Sequence, residues 1–209
     1  MARLATKRSA AARTLYVGIT GHRPNRMPQS ELPRLKGALV ATLAGIQTRH
    51  PARACRLLSG LAEGADRLAA FTALGMGWPL DAILAFHRGR FQEDFPDAYS
   101  KGEFRALLAA AATVLEPSRR WHVGRDANEG YEAMASAMLE RCHILVAIWD
   151  GERSQGRGGT VDVIDAARRQ GIKVIWLHAT KPERPRTMPP GARIGMRRQR
   201  AEMRSIAKH

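Results

Sequence analysis

Three stretches of this sequence place glycines and polar donors where an apolar run ends. The first is GITGHRP, which begins at Gly18. Gly18 and Gly21 carry no side chain, so we expect room for a ligand to approach the main chain closely at these positions. Thr20, His22 and Arg23 supply hydrogen-bond donors beside that room. An ordinary surface turn would favour Asn, Asp or Ser instead, so the pattern favours a ligand-binding turn.

The second stretch, SGLAEGAD, follows a predicted strand that ends at Ser59 and Gly60. The next helix is predicted to begin near Ala62, and the free backbone N–H groups of a helix N-terminus bind anions. Gly64 in its first turn costs about 1 kcal/mol of helix propensity relative to Ala. This cost indicates that the backbone there lies very close to another group.

The third stretch, DGERSQGRGGT, joins a predicted strand to a predicted helix. Glycines before a helix N-terminus, with a hydroxyl in reach, predict a cradle for phosphate, and an arginine there adds a charge-assisted hydrogen bond. The stretch is neither a Walker A motif nor a GxGxxG fingerprint. Its candidate ligand-binding residues are Asp150, Gly156, Arg157, Gly158, Gly159 and Thr160.

Three carboxylates near these stretches are candidate catalytic acids. Glu63 and Asp66 belong to the second stretch, and Glu63 is also a candidate ligand contact. Acidic residues in a first helical turn also stabilise the helix dipole, so a structural role is equally consistent with their position. Asp162 lies in the helix after the third stretch and is the remaining candidate.

The elements that must position these residues alternate between strands and helices from Leu15 to Ala179. Apolar runs such as HILVAIWD and KVIWLHA are typical of strands covered on both faces, and the intervening segments show helical spacing. The pattern predicts a three-layer, Rossmann-like, open and mostly parallel sheet of about six strands flanked by helices. Ligands bind at the carboxyl ends of such strands, where the three stretches lie.

A polar and aromatic loop, HRGRFQEDFPDAY, follows the third predicted strand. A long loop above a sheet edge can serve as a lid over a ligand. Phe86, His87, Arg88 and Tyr99 are then candidate contacts for a base or ribose. A surface loop with a packed aromatic is the alternative.

The net charge of +15 is concentrated at the two ends of the 209-residue chain. Residues 1–13 carry +4 and residues 181–209 carry +7, which leaves +4 for residues 14–180. We interpret the first range as a disordered basic arm and the third as one ligand-binding domain. The second range is interpreted as a basic Pro/Arg-rich tail, because closely spaced prolines after Thr180 predict that regular structure ends there. Neither end contains Phe, Tyr or Trp for base stacking, so nucleic-acid binding is not favoured.

Targeting signals and metal motifs are not evident in the sequence. There is no apolar run long enough for a transmembrane helix, and we expect no secretory signal. Cys55 and Cys142 sit at no metal-ligand spacing and fit a reducing compartment, so we expect a cytoplasmic protein without a metal site.

The motifs VGITGHR, LSGLAEGADRLAA and ILVAIWDG…GRGGTVDVI, in this order, resemble the SLOG superfamily. That group of Rossmann-like domains is related to the LOG phosphoribohydrolases and to the DNA-processing protein DprA. The resemblance implies binding or sensing of a nucleotide or nucleotide-derived ligand, in a bacterial stress or defence pathway, with no resident cofactor. It also implies a homodimer, as in relatives.

The third motif departs from the LOG enzymes, which carry P-G-G-x-G-T-x-x-E with a catalytic glutamate. This chain matches the motif at Gly156, Gly159 and Thr160. Gln155 replaces the proline, Arg157 a glycine and Val163 the glutamate, which favours a binding protein over a hydrolase. A LOG-like N-glycosidase that uses one of the three carboxylates is the first alternative. DprA-like DNA binding is the second.

Overall fold

The computed structural model describes residues 14–117, 126–152 and 159–191. Seven strands in these ranges form one sheet in the order β4-β3-β2-β1-β5-β6-β7. The strands are β1 (Thr14–Gly21), β2 (Ala54–Ser59), β3 (Leu80–Ile83), β4 (Thr113–Leu115), β5 (Ile144–Trp149), β6 (Lys173–His178) and β7 (Lys181–Met188). All neighbouring pairs are parallel except β6 and β7.

Helices cover both faces of the sheet, which gives the predicted three layers. They are α1 (Leu32–Arg49), α2 (Ala65–Gly75), α3 (Arg88–Phe91), α4 (Ala98–Ala110), α5 (Ala127–Leu139) and α6 (Thr160–Arg169). Apolar residues of α1, α2 and α4 form one core on one face, and those of α5 and α6 form a second core on the other. No helix in the described ranges is long and apolar enough to cross a membrane.

The direction of sheet growth reverses at β1. Its residue Val17 pairs with Leu57 of β2 on one side and with Ile144 of β5 on the other. β1 is therefore the switch point of the sheet, and a crevice at the carboxyl ends of β1 and β5 is the place where open α/β sheets bind ligands. The predicted fold class is confirmed.

The prediction that regular structure ends after Thr180 is wrong. Residues Lys181–Met188 form β7, which pairs antiparallel with β6 and makes a seventh strand. An edge strand needs ladder hydrogen bonds on one side only, so it tolerates proline where a central strand does not. Residues 1–13 and 192–209 lie outside the described ranges.

Candidate functional site

The turn after β1 is bonded to two neighbouring elements. The backbone N–H of His22 donates to the carbonyl of Ile148 in β5 at 3.0 Å. The carbonyl of His22 accepts from the N–H of Ala65, the first residue of α2, also at 3.0 Å. His22 thus connects the first two glycine-containing stretches at the switch point.

The close approach predicted at Gly64 is made to the turn after β1, and contact of Gly64 with a ligand stays a prediction. The φ of +88° at Gly64 favours glycine. A Cβ at this position would lie 2.3 Å from the carbonyl oxygen of His22 and 2.9 Å from Cα of Arg23. Because this backbone conformation is not helical, α2 begins at Ala65 rather than near Ala62.

The room predicted beside Gly18 and Gly21 is occupied by protein atoms. A Cβ at Gly18 would meet Sγ of Cys142 at 2.9 Å, and one at Gly21 would meet Cβ of Ala65 at 2.5 Å. These glycines therefore let the segment after α5 and the start of α2 pack closely on β1. Their contact with a ligand stays a prediction.

Asp150, directly after β5, contacts two basic side chains from the turn after β1. Its Oδ1 lies 2.8 Å from Nε2 of His22, and its Oδ2 accepts from Nε of Arg26 at 2.8 Å. Burial lowers the pKa of His22, although Asp150 opposes this effect. The pKa of Asp150 is lowered because the Glu152 N–H, His22 and Arg26 outweigh the opposing effect of burial. At neutral pH an uncharged imidazole therefore lies beside an ionised carboxylate.

A second polar chain starts from Arg23. Its Nη2 donates to the hydroxyl of Tyr131 in α5 at 2.6 Å, and that hydroxyl donates to Oδ2 of Asp94 at 3.3 Å. Asp94 also accepts from Nη1 of Arg90 at 2.5 Å. This chain links the turn after β1 to the loop after β3, across the carboxyl edge of the sheet.

Some of the candidate lid residues are packed or bonded within the fold, and Tyr99 is exposed to solvent. Phe86 is buried and packs edge-on against Tyr131, with ring centroids 5.5 Å apart. His87 caps α3, and Arg88 pairs with Glu116. Tyr99 is 76% exposed. The loop is thus anchored by a packed aromatic, and contact of these residues with a base or ribose stays a prediction.

Asp66 is a buried carboxylate at the start of α2. Burial raises its pKa to about 7, opposed by hydrogen bonds from the backbone N–H groups of Ala62 and Gly60 and by the charges of Arg23 and Arg67. A Cβ at Gly60 would lie 2.9 Å from Oδ2 of Asp66, so this glycine makes room for the carboxylate.

The other residues of the second stretch are bound within the fold. The hydroxyl of Ser59 is fully buried, donates to the carbonyl of Asp66 and accepts the N–H of Leu61, both at 3.2 Å. Glu63 accepts a hydrogen bond from the hydroxyl of Ser100. These contacts hold the turn in shape.

The third stretch is described only in part. Gly159 precedes α6, which begins at Thr160, and the Gly159 N–H donates to Oδ2 of Asp162 at 3.3 Å. Asp162 therefore caps its own helix. Gly156, Arg157 and Gly158 lie outside the described ranges, and the phosphate cradle stays a prediction.

Two contributors to this edge are absent from the sequence-based candidates. Arg26 lies four residues after His22, and its position in a turn gave no signal beyond its charge. In the sequence, Tyr131 looks like an ordinary residue at the start of a helix.

Thr20, a candidate ligand contact, is buried at the end of β1. Among the described residues, no three His, Cys, Asp or Glu side chains form a metal-binding group.

Comparison with known proteins gives a likeness of fold. The sequence matches no known family and no curated protein. DNA processing protein A (DprA) from Streptococcus pneumoniae superimposes with a TM-score of 0.53 at 15% identity, over 80% of this chain and 51% of that one. The chain thus spans about half the length of DprA.

Two further solved structures are similar. The structural-genomics target TM1055 has a TM-score of 0.49 at 20% identity, over 80% of this chain and 76% of its own. The Moco carrier protein from Chlamydomonas reinhardtii has a TM-score of 0.45 at 16% identity, over 82% of this chain and 80% of its own. The likeness to DprA establishes that the two chains share a Rossmann-like fold, and at 15% identity it establishes the fold alone.

Proposed function

We propose that this protein binds a nucleotide or a nucleotide-derived phosphorylated ligand at the carboxyl edge of β1, β2 and β5. The observation that carries the proposal is the position of His22, which contacts both Asp150 and the start of α2 at the switch point. Open α/β sheets bind ligands in this crevice. Arg23 and Arg26 place two guanidinium groups beside it.

The charged residues would divide the work of binding. Guanidinium groups form short, charge-assisted hydrogen bonds to phosphate oxygens, which suits Arg23. Asp150 fixes Arg26 and His22 in place. The N-terminus of α6, at Gly159 and Thr160, would add the favourable end of a helix dipole. By binding this ligand, the protein would act as a sensor in a bacterial stress or defence pathway.

The test compares two substitutions that break the same hydrogen bond. The full chain is titrated calorimetrically with AMP, ADP-ribose and a cyclic dinucleotide. Arg23→Gln removes both the Tyr131 contact and the cation, whereas Tyr131→Phe removes this contact and the hydrogen bond to Asp94 but keeps the cation. We expect Arg23→Gln to weaken binding at least tenfold, about 1.4 kcal/mol, in line with a lost hydrogen bond to a charged group. Tyr131→Phe should stay within about threefold.

Two outcomes would contradict the proposal. If no member of the panel binds the wild type below millimolar concentration, the ligand class is wrong. If both variants lose affinity equally, with unchanged thermal melts, Arg23 only positions the loop after β3 and does not contact the ligand.

A second candidate function is LOG-like hydrolysis of a nucleoside monophosphate at its N-glycosidic bond. Asp66 favours it, because a pKa of about 7 suits a general acid or base at neutral pH. Free base should then be released from AMP, as measured by chromatography, and Asp66→Asn should abolish the release. A wild-type chain that releases no base from any nucleoside monophosphate would remove this candidate.

A further inference from the structure

A cavity of about 230 Å³ lies on the β6–β7 hairpin. It is lined by Trp176, His178, Lys181, Glu183, Arg184 and Arg186. None of these residues belongs to the candidate site described above. The cavity is close to that site, because His178 pairs in the sheet with Trp149, which directly precedes Asp150.

The cavity arises from an irregularity in β7. Trp176 pairs with Arg186, and His178 pairs with Lys181. Between these two pairs, β7 advances by five residues while β6 advances by two, so the extra residues of β7 form a bulge. Pro182 lies in the bulge and, like every proline, cannot donate a ladder hydrogen bond. The bulge leaves space above the side chains of β6.

The charge of the hairpin is strongly positive. Lys181, Arg184 and Arg186 are exposed. Among the described residues, no ion pair involves any of these three cations. Glu183, the acidic lining residue, pairs with Arg34 of α1. Three like charges around one cavity repel one another, and an anion between them would remove that repulsion.

The base of the cavity is aromatic and fixed. Trp176 is 7% exposed, and its indole N–H donates to the carbonyl of Trp149 at 2.8 Å. Its ring centroid lies 5.3 Å from that of Trp149 and 5.7 Å from that of His178. Burial lowers the pKa of His178, and Lys181 and Arg186 lower it further. A rigid wall of low polarity strengthens the attraction between the cations and an anion.

We propose that the β6–β7 hairpin is a second anion-binding site that holds the phosphate group of an organic phosphate between Arg184, Arg186 and Lys181, above Trp176. Arginine recognises phosphate oxygens with two parallel hydrogen bonds, and lysine adds a point charge. The phosphate can belong to a small phosphorylated molecule or to the backbone of a single-stranded nucleic acid.

The test follows one tryptophan in solution. The ¹⁵N-labelled full chain is titrated with pyrophosphate, and the indole signal of Trp176 is assigned through Trp176→Phe. We expect a saturable shift of this signal. Arg184→Gln combined with Arg186→Gln should weaken the apparent affinity at least tenfold. The matched control is Arg105→Gln with Arg141→Gln, which removes the same charge from exposed positions on α4 and after α5 and should stay within twofold.

Comparing AMP with a ten-residue oligothymidylate distinguishes a small phosphorylated molecule from a single-stranded nucleic acid as the source of the phosphate. Equal affinities assign the site to a small molecule. Tighter oligonucleotide binding that weakens steeply with salt, and that needs the same two arginines, assigns it to nucleic acid.

Two results would overturn the proposal. The first is a Trp176 signal that does not shift or saturate. The second is an equal loss of affinity in both double variants, which would leave the cations of β7 only the role of preventing edge-to-edge pairing of sheets. Arg23→Gln should leave the Trp176 response unchanged, so failure at the switch point and failure at the hairpin are distinguishable.

Discussion

The carboxyl edge of this sheet contains two regions that use charged side chains in opposite ways. In the packed turns, residues 22–23 and 60–66, polar and charged side chains are bonded within the fold, as in the contact of His22 with Asp150. In the β6–β7 hairpin, described cations such as Arg184 and Arg186 have no ion-pair partner and are exposed. The comparison separates side chains that are bonded within the fold from cations that have no ion-pair partner among the described residues.

Two arginines illustrate the physical difference. Arg67 is 4% exposed, donates to both oxygens of Ser100 and lies 4.3 Å from the ring centroid of Phe95. A buried cation needs such partners because an unpaired charge away from water is very unfavourable. Arg186 is exposed, and water solvates it at little cost. Arg67 therefore stabilises the fold, whereas Arg186 remains free for recognition.

The largest expected effect tests whether the packed turns are rigid. Gly64→Ala places a Cβ 2.3 Å from the carbonyl oxygen of His22 at a φ of +88°. We expect it to lower the free energy of unfolding by about 3–5 kcal/mol, measured by urea denaturation. Gly102→Ala is the control, because a Cβ there would meet nothing within 4 Å beyond the adjacent backbone of α4. This control should stabilise by about 0.5–1 kcal/mol. Equal effects would show that the turns adjust freely.

An intermediate effect concerns the pH dependence of stability. The pKa of Asp66 is raised to about 7 from a usual value of 3.8, so between these values the folded chain keeps a proton that the unfolded chain releases. Stability from this group therefore falls as the pH rises through this window and levels off above it.

The free energy of unfolding of the wild type, minus that of Asp66→Asn, should accordingly fall by about 1.4 kcal/mol for each pH unit within the window. Urea denaturation at pH 4.5, 5.5, 6.5 and 7.5 measures it. A difference that is constant over this range would mean that Asp66 titrates normally, and the packed turns would then hold an ordinary carboxylate.

The smallest effect sharpens the description of the hairpin. Glu183→Gln removes the acid from the cavity and should tighten pyrophosphate binding about twofold to fivefold. It should change the free energy of unfolding by less than about 1 kcal/mol, because its ion pair with Arg34 is exposed. Glu31→Gln is the control, since Glu31 also pairs with Arg34 but does not line the cavity. The same gain in both variants would contradict a local effect.

Most of the fold could be predicted from the sequence, and the exceptions have specific causes. Strands such as β5 and β6 are continuous apolar runs because both of their faces are buried. β7 was missed because KPERPRTM contains two prolines and three cations, and only its place at the edge of the sheet makes it a strand. The start of α2 was misplaced because the φ of Gly64 depends on its contact with His22.

The location of the candidate site at the sheet edge could be predicted from the sequence, but the contacts between its side chains could not. The alternation of strands and helices, which is local information, brings the ends of β1, β2 and β5 to one edge of the sheet. Contacts such as His22 with Asp150, 128 residues apart, and Arg23 with Tyr131, 108 residues apart, depend on how that sheet is ordered and packed. The sequence by itself determined the fold class and the edge that carries the glycine turns. Only the tertiary structure decided which charges are paired, because pairing depends on distances in space that local patterns do not encode.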